Sequence, residues 1–500
     1  MRKLCLIICL IYIPVHLFGQ GYNHQWLLGN YYFIQDPKGR MFIDSNNYSI
    51  IPENRKMPFL GTQGNICDAN GNFLMSSNGV WIANANNDTM MNGSGLNPGP
   101  YVDNWSFGTP NVANNVFVPD PVDSNKYLLF HHTATEFNPS FLPALELFYS
   151  EIDITLDGGL GGVTSKNNIV MQDTLGWGIG VCRHANGKSW WVAMMKDSSS
   201  FIKTILYDST NSYLINTQDL GYSPKPHANV AQLTFSLDGT KFISSTYDNF
   251  IDRNSYLVIS DFDRCSGIFS NTQSIQLSNG SYLWGLAFSP SGEFAYACTE
   301  TEIFQVNTTT LAVDTVAVYD GFISPPNSPC CPSTFFNMYL AANGKIYVTS
   351  GSSVRHFTEI NYPDNAGAAC DVQQHAVAIG NYAHLAAVPN HPNYELGCDT
   401  TLGCPCLITG IEEANGHDFK FSVSPNPTKG LLKMMYLLPQ NHDGELEVID
   451  MTGRIVYQLL LPPWSTIQTP DLSFLPGGVY NVAIVSGNSR ASARIVVIND

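Results

Sequence analysis

Four glycines fall at nearly equal intervals, and no other feature limits the fold so sharply. Gly187, Gly239, Gly292 and Gly344 are separated by 52, 53 and 52 residues. Each closes a short turn (Ala185-Asn-Gly, Leu237-Asp-Gly, Pro290-Ser-Gly, Ala342-Asn-Gly) between an apolar segment and an alternating one. Gly71, in Asp68-Ala-Asn-Gly, belongs to the same class, and Asp123-Ser-Asn-Lys126 fills part of the interval between Gly71 and Gly187 less regularly. A period of about 50 residues holding several short strands marks a β-propeller blade.

The flanking residues alternate as half-buried strands do. Gln232-Leu-Thr-Phe-Ser-Leu, Lys241-Phe-Ile-Ser-Ser and Tyr256-Leu-Val-Ile-Ser-Asp-Phe-Asp263 form one set. Trp284-Gly-Leu-Ala-Phe, Phe294-Ala-Tyr-Ala-Cys and Glu302-Ile-Phe-Gln-Val repeat it, as do Met338-Tyr-Leu, Lys345-Ile-Tyr-Val and Val354-Arg-His-Phe-Thr-Glu-Ile. The expected fold class is all-β. Residues 20–397 form a propeller of about seven blades, followed by a small C-terminal β-sandwich. An open ring exposes strand edges, so the termini should join, Gln25-Trp-Leu-Leu pairing near His384-Leu-Ala-Ala-Val. Composition agrees: charged residues are 13% and aromatics 12%, with 41 glycines and 29 prolines, a balance of short strands and turns. The formal charge of −17 argues against binding a phosphate backbone, so no nucleic-acid partner is expected.

The chain ends read as addresses. Arg2 and Lys3 precede an apolar run from Leu4 to Phe18 and a small-residue exit at Gly19-Gln20, the pattern of a removable signal peptide over residues 1–19. No later stretch approaches about 20 apolar residues, so no transmembrane segment is expected in the mature chain. At the other end, residues 418–500 read as a separate β domain. Pro425-Asn-Pro427 and Gly430 form a turn, and Asp450-Met-Thr-Gly453-Arg454 turns a hairpin. Gly478-Val-Tyr480 opens a strand, and Arg494 precedes the last apolar one.

In this order, at the extreme C-terminus, Pro425, Asn426, Pro427, Gly430, Asp450, Gly453, Arg454, Gly478, Tyr480 and Arg494 resemble the C-terminal sorting domain of type IX secretion cargo in Bacteroidetes. The resemblance implies the type IX machinery as partner and a secreted or outer-membrane-attached product. The middle of the chain resembles a propeller-like family common in secreted proteins of that group, through Ile66 to Trp81, Met91 to Leu96, Leu147 to Asn168, Phe288 to Tyr296 and Val388 to Gly397. That resemblance implies an exported propeller, often linked to cell-surface or gliding functions, and carries no catalytic residues with it.

Ten of the 12 cysteines lie beyond the signal peptide, and even parity on an oxidising route favours disulfides whose pairing the sequence leaves open. Cys398, Cys404 and Cys406 fall in an expected linker, 398–417, as a staple; a zinc site is the competing reading, although paired C-x-x-C spacing is missing.

No G-x-S-x-G elbow, H-E-x-x-H pair or P-loop occurs, and no cofactor, metal or catalytic residue is assigned. His131-His132 reads as a strand exit rather than a metal pair. Asp261 and Asp263 read as a blade-end turn, with a calcium site as the sharper alternative. Trp105, Trp177 and Trp190-Trp191 read as packing residues, with sugar stacking as the alternative. The polar stretch 84–99 reads equally as a contact loop or a disordered one. Two functions follow: a non-catalytic surface module binding glycan or protein, or a secreted propeller hydrolase acting on polysaccharide or peptide, whose carboxylates would come from different blades.

Overall fold

The computed structural model describes residues 21–29, 37–45, 47–105, 107–133, 143–208, 213–223, 232–249, 251–325, 331–406, 421–436, 438, 443–451, 453–463, 465–486 and 489–498. The expected signal peptide and the part of the expected linker beyond Cys406 lie outside these residues. The chain divides into two compact units, Met1–Leu407 and Ile408–Asp500.

The first unit is all-β, and its strands follow one another as antiparallel runs. Among the described residues there are seven. The first has three strands, Gln25–Leu28, Lys38–Ile43 and Tyr48–Glu53. The remaining six have four each and open with Thr62–Cys67, Asn115–Pro119, Gly180–Arg183, Thr234–Phe235, Gly285–Phe288 and Met338–Leu340. The second and third runs merge into one larger sheet where Gly162 pairs in parallel with Met91.

The repeated glycine works identically wherever it recurs. Gly71, Gly187, Gly239, Gly292 and Gly344 all have positive φ, between 71° and 82°, which glycine adopts without steric cost. Their N–H groups donate to Asp68, His184, Ser236, Ser289 and Ala341 O at 2.9–3.0 Å. Each turn joins the first strand of a run to the second.

Packing proceeds from run to run. Phe242 and Phe262 of the fifth run meet Trp191 and Ile202 of the fourth, while Ile243 and Ile259 face Phe288 and Val306 of the sixth. Tyr296 and Ile303 join Ile346 and Ile360 of the seventh. The seventh run then packs on the first: Trp26 stacks on Phe357 at 4.8 Å and meets Tyr339 edge-on at 5.6 Å. The other face of the first run, through Leu27, packs on Phe59, Phe73 and Ala83 around the second. Glu53, accepting from Arg40, from fully buried Arg55 and from Asn87 at 3.1 Å, ties this junction electrostatically.

The expected pairing of the first strand with residues near His384 does not occur. Gln63 occupies that edge: its amide donates to Leu27 O at 2.7 Å and accepts from Leu27 N at 3.2 Å. Val388–Pro389 pairs instead, in parallel, with Thr62 and Gln63.

The second unit has a three-stranded sheet (Phe421–Ser424, Lys433–Tyr436, Ile467–Gln468) and a four-stranded one (Gly444–Ile449, Ile455–Leu461, Gly478–Ser486, Ser489–Val497). Met434 and Tyr436 of the first share one apolar core with Leu446, Val448, Val482, Ile484 and Ile495 of the second.

Candidate functional site

In the second unit the ten residues of the sorting-like pattern fall at several turns and in the last two strands rather than in one cluster. Asn426 and Arg494 meet directly. The Asn426 side chain donates to Arg494 O at 2.8 Å and accepts from Val496 N at 2.9 Å. Two backbone bonds between Thr428 and the same strand, 2.8 Å and 2.9 Å long, extend the contact. The turn set by Pro425 and Pro427 is thereby sewn to the last strand. Gly430 sits at φ +113° with its Cα so close to Ser473 that a Cβ would lie 2.4 Å from Ser473 Cα. Asp450, Gly453 and Arg454 close their own hairpin: the Asp450 carboxylate accepts from Arg454 N at 3.1 Å and Nε at 3.2 Å, and Gly453 has φ +87°. Tyr480, which follows Gly478 at the start of its strand, is buried and donates to Pro476 O at 2.8 Å.

In the first unit the opening strands of the runs approach one another closely. A Cβ on Gly64 would lie 2.4 Å from Asn115 Oδ1, and one on Gly285 would lie 2.3 Å from Phe336 O. Amide side chains bridge these strands, satisfying backbone groups that face inward. Gln232 donates to Met338 O at 2.9 Å and accepts from Met338 N at 2.8 Å, and Asn65 donates to Gln25 O at 2.7 Å.

The segment after Pro389 runs back over these strands. Asn390 Nδ2 donates to the carbonyls of Ala113, Asn115 and Ile179 at 3.3, 3.3 and 2.9 Å. His391 Nε2–H donates to Asn65 O at 2.8 Å while Nδ1 faces the Tyr339 hydroxyl at 2.9 Å. Tyr394 donates to Phe117 O at 2.9 Å, and Asn393 to Leu237 O at 2.7 Å. Burial holds the His391 imidazole at about 4, against the pull of its bond to Asn65 O. Beside this segment lies a cavity of about 100 Å³, walled by the fourth to seventh opening strands and by residues 389–393; no carboxylate lines it among the described residues.

Disulfides fasten the end of the segment. Cys398 is bonded to Cys406, and Cys404 to Cys265 in the turn after Ser255–Asp263. These three linker cysteines are therefore not a zinc set, and the staple they form grips the first unit itself. Asp399 N donates to Ala185 O at 2.8 Å in the same region. Cys67, Cys182, Cys298 and Cys370 are buried thiols, unlike the bridged cysteines; Cys182, Cys298 and Cys370 pack within apolar clusters.

His131 and His132 are fully buried and do not converge. His131 contacts Asn97 Oδ1 at 2.8 Å and Ser150 Oγ at 2.9 Å, and His132 Nε2–H donates to Trp177 O at 2.6 Å. Asp261 pairs with Lys241 at 2.9 Å, and Asp263 accepts from Cys265 N at 2.8 Å, which makes a turn. Trp177, Trp190 and Trp191 are buried, and Trp105 is half-buried. The stretch 84–99 is ordered, contributing strand Thr89–Ser94 and Asn97, whose side chain donates to Gly79 O at 2.9 Å. Sequence reasoning missed Gln63, Gln232 and Asn390; nothing local marks a structural amide.

Residues 422–498 match the family model of the secretion system C-terminal sorting domain, and this match supports a type IX secretion cargo protein, located outside the cell or on its surface. No curated protein matches the chain. Among solved structures, a functionally unknown protein from Desulfotomaculum acetoxidans is 11% identical, over 90% of this chain and 99% of that one, with a TM-score of 0.33. The extracellular domain of a putative hybrid two-component system from B. thetaiotaomicron is 10% identical, over 95% of this chain and 57% of that one, with a TM-score of 0.34. A prolyl endopeptidase structure is 12% identical, over 77% and 50%, with a TM-score of 0.27. Likenesses this distant define no activity.

Proposed function

We propose that the protein is an exported, non-catalytic β-propeller that binds glycan or protein at the cell exterior, delivered there by a C-terminal β-sandwich that acts as its sorting signal. The seven runs are its blades, residues 1–19 its signal peptide, 398–417 its linker and 418–500 its sorting domain. The sorting-domain match at residues 422–498 carries the export half of this reading. The non-catalytic half draws on the cavity among the opening strands, which has residues 389–393 for one wall and no lining carboxylate among the described residues; a propeller hydrolase would need a converging acid and base, and the carboxylates Asp120, Asp123 and Glu151 line a separate cavity of about 280 Å³.

Deleting residues 408–500 should leave the protein in the periplasm when cell fractions are probed. Normal surface delivery of the truncated chain would refute the sorting assignment. Incubating the full chain with polysaccharides and peptides should give retention without released products, and any catalytic turnover would refute the binding reading in favour of the hydrolase.

A further inference from the structure

Past Pro389 the chain leaves the sheets, and the way it is held changes in kind. Val388–Pro389 is a strand paired with Thr62 and Gln63, but beyond it the grip passes to side chains. Asn390, His391, Asn393 and Tyr394 reach down to backbone carbonyls in or beside the opening strands. Such bonds add little net hold, because water satisfies the same groups almost as well. Apolar hold is sparse too: of the eight residues 390–397, Pro392 and Tyr394 alone are buried, and segments with few buried contacts are the ones that open locally. Leu396 packs into the cluster of Cys182, Leu233 and Phe235. A Cβ on Gly239 would lie 2.8 Å from both Leu396 Cδ2 and Cys182 Sγ, so the two atoms stand within twice that distance of each other. Both residues line the cavity of about 100 Å³.

The far end of the segment is anchored differently. Cys398–Cys406 closes a loop within the tail itself, and Cys404, inside that loop, is bonded to Cys265 in the turn after Ser255–Asp263. Among the described residues Cys265–Cys404 is the bond that ties the tail covalently to the sheets beneath. Arg264, next to Cys265, donates from Nη2 to Gly397 O at 2.5 Å and from Nε to Arg183 O at 3.0 Å, so bridge and hydrogen bond fasten one point. Cys404 is buried, whereas Cys265 is half-buried. His184 Nδ1 accepts from Asn186 N at 2.9 Å, so Nε2 carries the ring proton; it donates to Cys265 O at 3.0 Å and lies 4.0 Å from Cys404 Sγ.

We propose that residues 390–397 are a strap over the cavity and that Cys265–Cys404 is its latch, holding the strap down when oxidised and letting it lift when a small thiol reduces the bridge. The reductant's thiolate attacks Cys265 Sγ, the more accessible sulfur. The S–S bond breaks, and Cys404 leaves with the electron pair, its sulfur facing His184 Nε2–H, and takes up a proton from water. A second thiolate attacks the reductant's sulfur in the mixed disulfide and frees Cys265, so two external thiols become one disulfide while the bridge becomes two thiols. With the latch closed, the tether keeps the strap's end at high effective concentration over its seat. With it open, reseating works against the conformational entropy of the freed segment.

Cys182, under Leu396, reports the strap's position. The test is alkylation of the native full chain with iodoacetamide, located by peptide mass mapping. In the oxidised parent Cys182 should label slowly, since burial pushes its thiol up to about 12. Exposure restores an ordinary thiol, so Cys265→Ser/Cys404→Ser, and separately the parent treated with dithiothreitol, should label Cys182 about tenfold faster or more. Cys298 and Cys370, which do not line the cavity, should stay protected. Cys398→Ser/Cys406→Ser, which keeps the latch, should label like the parent. Unchanged protection of Cys182 in both the latch variant and the reduced parent overturns the proposal. Equal acceleration at Cys182, Cys298 and Cys370 shows general unfolding and overturns it as well, and acceleration in the Cys398→Ser/Cys406→Ser variant alone overturns the choice of bridge.

Discussion

The disulfides Cys265–Cys404 and Cys398–Cys406 close loops of very different length, which gives a quantitative prediction about removing them. Cys265 and Cys404 are 139 residues apart, and Cys398 and Cys406 are 8 apart. If a bridge acts by restricting the unfolded chain, the loop-entropy relation gives about 5 kcal/mol for the long loop and about 2.5 kcal/mol for the short one. Unfolding entropy of about 2.1 cal/mol/K per residue gives about 0.8 kcal/mol/K for a unit the size of Met1–Leu407. The double variant Cys265→Ser/Cys404→Ser should therefore melt about 6 °C below the parent, and Cys398→Ser/Cys406→Ser about 3 °C below. Scanning calorimetry of the oxidised proteins reads both numbers. Equal losses, or a larger loss from the short loop, would refute the entropic account and locate the effect in native contacts such as Asp399 N to Ala185 O.

Gly430→Ala should destabilise the C-terminal unit by about 2 kcal/mol or more, since it adds a Cβ against Ser473 at a positive φ; unfolding of that unit that matches the parent would contradict this. Acid should weaken the first unit in a defined window. Burial depresses His131 to about 3 and His132, His384 and His391 to about 4, all from 6.5. The unfolded chain then takes up protons first, so their contribution is whole above about pH 6.5 and is lost as pH falls towards 4. A melting temperature that stays flat from pH 7 to 4.5 would count against it. Cys67, Cys182 and Cys298, pushed up by burial to about 12, should resist a thiol reagent in the native state and react on denaturation; rapid native labelling would show that the sheets open.

The blade-like repeat was legible because its signal is local. A turn that needs positive φ selects glycine wherever it occurs, so Gly187, Gly239, Gly292 and Gly344 print the period directly into the chain. The sorting-like turns at Pro425, Gly430 and Gly453 were legible for the same reason. The partner of the first strand was not, because the edge of Gln25–Leu28 is occupied by the side chain of a residue 36 positions away, Gln63. An amide reads as generically polar until the opposing carbonyl is known. Disulfides were legible as a class, and Cys265–Cys404 and Cys398–Cys406 form, but not which cysteines stay free: a buried thiol and one paired with a distant partner leave the same residue in the sequence.

The fastening of residues 397–406 also determines how the molecule answers to a pull. Tension applied to the backbone beyond Cys406 reaches the first unit through sulfur–sulfur bonds at Cys406 and Cys404, before it can load the hydrogen bonds of Asn390 or His391. Covalent bonds bear forces that rupture strand ladders, so the seventh run does not peel from the first while the bridges last. A protein hauled or held by its C-terminal end would keep the strands of its first unit together under load, and would lose that resilience wherever the surroundings turn reducing.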